Sequence, residues 1–183
     1  IGGAMANTFL LANNYNVGQS LVEKDLIQEA NNIQLKAKKL NCELILPTDV
    51  LCGKNTHDTN PVNRNIHELS PEEMILDIGE KSTEFINNKI INSKMVLWNG
   101  PVGAFEFQPY DKATNAIANV IKVHAKKLNI NTLAGGGDTV SAIKNTNSED
   151  GFNYISNAGG AFLEWLEGNE SPGVKSLKEN NLT

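Results

Sequence analysis

Glycine recurs in this chain at one kind of place: the end of a short apolar run, just before a helical pattern begins. Gly2 and Gly3 follow Ile1 and precede the pattern of residues 4–12. Gly100 and Gly103 follow the run 95–98, Gly135 to Gly137 follow 131–134, and Gly159 and Gly160 follow 154–156. Short continuous apolar runs that alternate with amphipathic stretches predict parallel strands buried under helices. The run 43–46 reads as a further strand. Helical stripes stand at Leu26, Ala30, Ile33, Ala37 and Leu40, at Phe85, Ile86 and Ile90, and at Ala113, Ile117, Val120 and Ile121. The expected fold is α/β, a three-layer, Rossmann-like parallel sheet with helices on both faces, with no linker dividing residues 1–183. Residues 53–70 are polar and aperiodic and read as a long surface loop. Asp77, Ile78 and Gly79 read as a break before the third helix.

In an open parallel sheet the carboxyl ends of the strands share one edge, where ligands bind. A glycine there lets a ligand approach the main chain, and the helix that follows offers free N–H groups and a partial positive charge. Each turn alone reads first as a tight βα connection; four of them together read equally well as a phosphate or nucleotide binder. The P-loop signature is absent, and so is the G-x-G-x-x-G fingerprint, which counts against a nicotinamide oxidoreductase.

The composition says how such a ligand must be held. The net charge is −5, and of 16 basic residues Arg64 is the single arginine. Arginine is the usual side-chain clamp for compact anions, so the grip must come from main-chain amides, a metal ion or another domain. The acidic balance disfavours a nucleic-acid or membrane surface. No run approaches the roughly 20 apolar residues that cross a bilayer, and no charged-then-apolar leader stands at the start. Cys42 and Cys52 lack metal-site spacing and read as reduced thiols, so a cytoplasmic protein is expected. Ile1-Gly2-Gly3 reads as the end of a strand, and the chain is therefore expected to be a piece of a longer one.

Two acids stand at this edge. Asp138 follows three glycines; it reads either as a helix N-cap or as a ligand of Mg²⁺, the cation that would bridge it to a phosphate. Thr139 offers a hydroxyl beside it. Glu106 follows the Gly100–Gly103 turn and reads either as a solvated loop acid or as a carboxylate gripping two ribose hydroxyls. His57, His67 and His124 read as surface residues, Phe105 and Phe107 as core or rim, and Trp98 and Trp165 as packing.

Four segments together resemble the phosphoglycerate kinase family, specifically its C-terminal, nucleotide-binding domain. They are Ile1-Gly2-Gly3-Ala4-Met5-Ala6-Asn7-Thr8-Phe9, the run from Val96 through Asn99-Gly100-Pro101-Val102-Gly103-Ala104-Phe105 to Glu106, Gly135-Gly136-Gly137-Asp138-Thr139, and the final stretch from Ile155 through Ala158-Gly159-Gly160 to Pro172-Gly173-Val174. The resemblance implies reversible phosphoryl transfer between 1,3-bisphosphoglycerate and ADP, giving 3-phosphoglycerate and ATP, with Mg²⁺. It implies that Gly3 and Ala4 face the adenine, that Asn99, Pro101, Gly103 and Ala104 line the nucleotide site, and that Glu106 binds the ribose. Gly136, Gly137 and Thr139 would hold phosphates, Asp138 would ligate the metal, and Gly137, Gly159 and Gly160 would stabilise the phosphoryl group in flight. It further implies a monomer whose phosphoglycerate site and Gly-Gly-Ala-Lys segment belong to an N-terminal domain outside residues 1–183. On that reading the chain binds nucleotide without turning over. The competing reading is a non-enzymatic nucleotide-binding module. The chain departs from the family pattern at Ala4 and Ala158, where glycine is frequent, and at Asn157, where threonine is.

Overall fold

The computed structural model describes residues 1–169 together with 173, 175 and 176. Its strands form two sheets. The first is antiparallel: β1 (Asp49–Gly53) lies between β2 (Val62–Asn65) and β3 (Met74–Ile78). The second is parallel, in the order β4 (Met95–Asn99), β5 (Asn131–Gly135), β6 (Tyr154–Ser156). The helices are α1 (Gly3–Ala12), α2 (Ile27–Lys39), α3 (Glu80–Ile91), α4 (Lys112–Leu128), α5 (Gly137–Asn145) and α6 (Gly159–Leu166).

The parallel sheet and its helices bear out the expected α/β class. Ala113, Ile117, Ile121 and Ala125 recur every four residues along α4 and are all buried. Ile117, Ile121 and Ala125 meet Trp98 from β4, Ala134 from β5, and Ala142 and Ile143 from α5 in one core. Burying each isoleucine contributes about 1.5–3 kcal/mol. Trp98 also stacks on Phe152 at 6.1 Å. Asn129, left-handed at φ 54°, ends α4 and turns the chain into β5.

Four local expectations give way. Residues 43–46 join no strand; Ile45 instead lines a cavity of about 660 Å³ together with Met95 to Asn99 of β4. Residues 53–70 are not all loop, because Val62–Asn65 pairs with β1. Arg64, on that strand, donates to Glu73 at 2.8 Å. Met74–Ile78 is a full strand rather than a break, its polar Asp77 being buried at 1% exposure. The α2 stripe is apolar but mostly uncovered: Ala30 is buried, while Leu26, Ile33 and Leu40 are exposed. Periodicity shows that a helix has an apolar face, and packing decides whether anything sits on it. The Trp165 side chain and the Pro172 and Val174 ends of the tail motif lie outside the described residues.

Two buried aspartates of the antiparallel sheet project to helix starts. Asp49 on β1 accepts hydrogen bonds from the Lys81 and Ser82 amides at 3.1 and 2.8 Å, from the Ser82 hydroxyl at 2.6 Å and from Asn63 at 3.3 Å. It thereby caps α3, whose own N-cap is Gly79. Burial pushes the Asp49 pKa up, but these donors outweigh it and hold the carboxyl below its usual value. Asp77 on β3 plays the same part for α4, accepting from the Ala113 amide at 3.0 Å.

Candidate functional site

Parallel pairing sets three strand ends side by side, with Asn99 opposite Gly135 and Gly135 opposite Ser156. Each end runs into one of the predicted glycine turns, so the glycines at 100, 136–137 and 159–160 gather on one edge. The turns also touch. A Cβ on Gly136 would lie 2.9 Å from the Asn99 Oδ1, and one on Gly159 would lie 2.6 Å from the Gly136 Cα and 3.2 Å from that same oxygen. Asn99 is the hub between the α5 and α6 turns. Gly136 has φ 98°, a left-handed conformation that glycine adopts without strain.

The glycines beyond these contacts are open. Gly137 and Gly160 are exposed, and a Cβ on either meets nothing within 4 Å. They are the first residue of α5 and the second of α6, where helix amides lack intrahelical acceptors. Asp138 is exposed in the first turn of α5 and does not cap it; the N-cap is Gly136. Thr139 is buried, and its Oγ accepts the Gly100 amide at 2.7 Å, tying the α5 start to the β4 turn while leaving its hydroxyl proton to donate. Thr139→Val should therefore lower the unfolding free energy by about 1–2 kcal/mol, as read by urea denaturation.

A second feature adjoins this edge. The Gly3 amide donates to the Val102 carbonyl at 2.9 Å, and the Ala104 amide donates to Leu76 O at 2.7 Å. Between them lies a slot of about 280 Å³ lined by Gly3, Ala4, Leu76, Val102, Gly103 and Ala104. Pro101 stands at its approach, its carbonyl 3.6 Å from where a Gly3 Cβ would lie. Glu106 is exposed just past this turn and forms no hydrogen bond among the described residues. The structure thus joins Asn99, Gly136, Thr139 and Gly159 in one cluster, and Gly3, Ala4, Gly103 and Ala104 around one slot. Glu106 stands apart from both.

Three residues here escaped the sequence reading. Leu76 and Asp77 were masked by the reading of 77–79 as a break. Asn7 is 3% exposed and lines the slot; its Nδ2 donates to Leu21 O at 3.2 Å while its Oδ1 has no partner. The adjacent polar pair Asn7 and Thr8 inside the otherwise apolar stretch 4–12 was the available signal. Arg64, paired to Glu73, belongs to neither cluster. Cys52 is buried, with its thiol pushed up to about 12 chiefly by desolvation, and is unreactive. No group of three or more metal-ligating side chains occurs among the described residues. The donor set suits a cation shared with a ligand: one free carboxylate beside open amides, as Mg²⁺ accepts when phosphates complete its shell.

Fold and site together define an α/β protein of the doubly wound kind, whose glycine turns open helices along the carboxyl edge of a parallel sheet. The sequence model of one family, phosphoglycerate kinase, matches residues 1–169. Among curated proteins, the phosphoglycerate kinase of Rhodospirillum centenum is 44% identical over 182 residues, covering 97% of this chain and 45% of that protein. That of Novosphingobium aromaticivorans is 46% identical over 180 residues, covering 97% and 46%. The solved phosphoglycerate kinase of Coxiella burnetii superposes with a TM-score of 0.90 at 34% identity, covering 98% of this chain and 45% of that one. That of Pyrococcus horikoshii, at 22% identity and a TM-score of 0.78, shares the fold. The chain belongs to the phosphoglycerate kinase family, and it spans a little under half the length of the relatives it matches. Among the described residues no helix is long and apolar enough to cross a membrane.

Proposed function

We propose that this chain is the nucleotide-binding part of a phosphoglycerate kinase, holding ADP or ATP with Mg²⁺ for phosphoryl transfer between 1,3-bisphosphoglycerate and ADP. The observation that carries this reading is the meeting of three glycine turns around Asn99, with the Gly137 and Gly160 amides left open beside it. Phosphoryl transfer asks mainly for positioning and for charge stabilisation at the equatorial oxygens. Open amides at two helix starts supply both without arginine.

In this scheme the adenine enters the slot between Ala4 and Ala104, and Asn99 and Pro101 line the path to the phosphates. Glu106 reaches the ribose hydroxyls once its turn closes on the ligand. Gly136, Gly137 and Thr139 hold the phosphates, and Gly159 and Gly160 face the group in transfer. Asp138 holds the metal, which neutralises phosphate charge when bound. Phosphoglycerate is held by a separate domain, so the chain alone binds nucleotide and does not turn over. A monomeric, cytoplasmic protein suits this role.

Isothermal calorimetry with ADP, with and without Mg²⁺, tests the reading. Wild-type chain should bind ADP more tightly with the metal. Asp138→Ala should remove that gain, about tenfold in affinity, while leaving metal-free binding in place. Equal metal dependence in the two proteins would exclude Asp138 as the ligand. Turnover by the chain in a coupled assay would exclude the division of labour between domains.

A further inference from the structure

Asp77 is 1% exposed, yet no salt bridge among the described residues reaches it. Its two oxygens are served by main-chain donors alone, the Ile78 amide at 2.9 Å and the Ala113 amide at 3.0 Å. Three segments meet on this carboxylate. β3 carries it, and α4 is capped by it. The Val102–Ala104 turn is wedged against it, since a Cβ on Gly103 would collide with Oδ1. The turn is tied on both sides as well: Val102 N donates to the Thr114 Oγ1 at 3.1 Å, and Ala104 N donates to Leu76 O.

We propose that Asp77 is a positioning residue of the nucleotide site, whose carboxyl locks the start of α4 and the Val102–Ala104 turn into the geometry that forms the slot. This rests on the nucleotide reading above. Each oxygen of the carboxyl accepts one main-chain N–H bond, whereas the ionised form carries a buried charge that no salt bridge among the described residues offsets. The charged groups on the surrounding elements are Asp49 on β1, committed to Ser82; Glu80 and Glu84 on α3; Asp111 and Lys112 at the start of α4; and Glu106 past the turn. Desolvation raises the Asp77 pKa to about 7, with a smaller push from Asp111 against the two amides. Ionisation therefore works against the packing that buries this carboxyl, and the lock loosens as pH rises through about 7.

The test compares the wild-type chain with Asp77→Asn, which keeps the shape and cannot ionise. Between pH 6 and 8, ADP affinity of the wild type should fall about fivefold to tenfold relative to that of the variant, as ionisation loosens the slot. Subtracting the variant removes the titration of the phosphate itself, near pH 6. A merely structural aspartate would shift both affinities equally at every pH, and that result overturns the proposal. If neither protein binds ADP, the nucleotide reading fails, and hydrogen exchange decides the lock by itself. Protection factors at the Ala104 and Ala113 amides should then fall about tenfold in Asp77→Asn, with α2 unchanged; unchanged protection at both amides overturns the proposal. Should Asp77→Asn not fold, Gly103→Ala pushes on the same carboxylate from the turn. It should lower protection at Ala113, and no change there is again decisive against the lock.

Discussion

Gly159→Ala should reduce ADP affinity at least tenfold and lower the melting temperature by roughly 5–10 °C. The methyl would lie 2.6 Å from the Gly136 Cα, and backbone cannot rotate out of its way. Either the α6 start or the α5 turn must move, and both carry the proposed phosphate amides. Gly160→Ala is the matched comparison. Its methyl points into open space, so the fold should melt within about 1 °C of wild type, consistent with a harmless surface change. It nevertheless occupies the volume assigned to the phosphoryl group, so ADP affinity should still fall. Differential scanning calorimetry and ligand titration on the two variants separate damage to the fold from damage to the cradle. An unimpaired Gly160→Ala chain would remove that amide from the site.

Asp49→Ala should cost about 3–5 kcal/mol of unfolding free energy, the largest loss expected from any single side chain outside the site. The substitution strands the Lys81 and Ser82 amides at the start of α3 and leaves the Ser82 hydroxyl only the residue 49 carbonyl to donate to. Because the folded pKa of Asp49 lies below the usual value, its stabilising effect is complete above about pH 4 and is lost as pH falls further. Asp77 has the opposite sign. Its folded pKa lies above the usual 3.8, so its contribution is complete below that value and declines as pH rises toward about 7. Moving a carboxyl pKa from 3.8 to about 7 corresponds to up to about 4 kcal/mol. The two together place maximum stability near pH ~4, where the Asp49 contribution is nearly complete and the Asp77 decline begins. Thermal melts from pH 3 to 8 should show the fall between pH 4 and 7 flattened in Asp77→Asn and the fall below pH 4 weakened in Asp49→Ala.

The parallel sheet was legible because its strands are continuous apolar runs closed by glycines, a pattern that depends on local sequence alone. The meeting of the glycine turns was legible for the same reason: glycines at strand ends mark the starts of α5 and α6 without the help of any side chain. The antiparallel sheet was not. β2 reads Val-Asn-Arg-Asn, an edge strand with three of its four residues exposed, and nothing in its composition separates it from a loop. β3 was hidden by Asp77, which looks like a turn residue until a helix start is placed opposite it. The α2 stripe failed in the other direction, since an apolar face is a property of sequence and its covering is a property of tertiary structure.

The proposed reliance on amides has a practical consequence for any mutational survey of this chain. Scanning by truncation to alanine removes atoms beyond Cβ, and a peptide group survives every such change. The glycines of the proposed site would pass through that screen unmarked, with Asn99, Thr139, Asp138 and Glu106 standing out as though they acted alone. The informative survey runs the other way, adding a single methyl at successive glycines, and it should trace the outline of the phosphates as a row of intolerant positions.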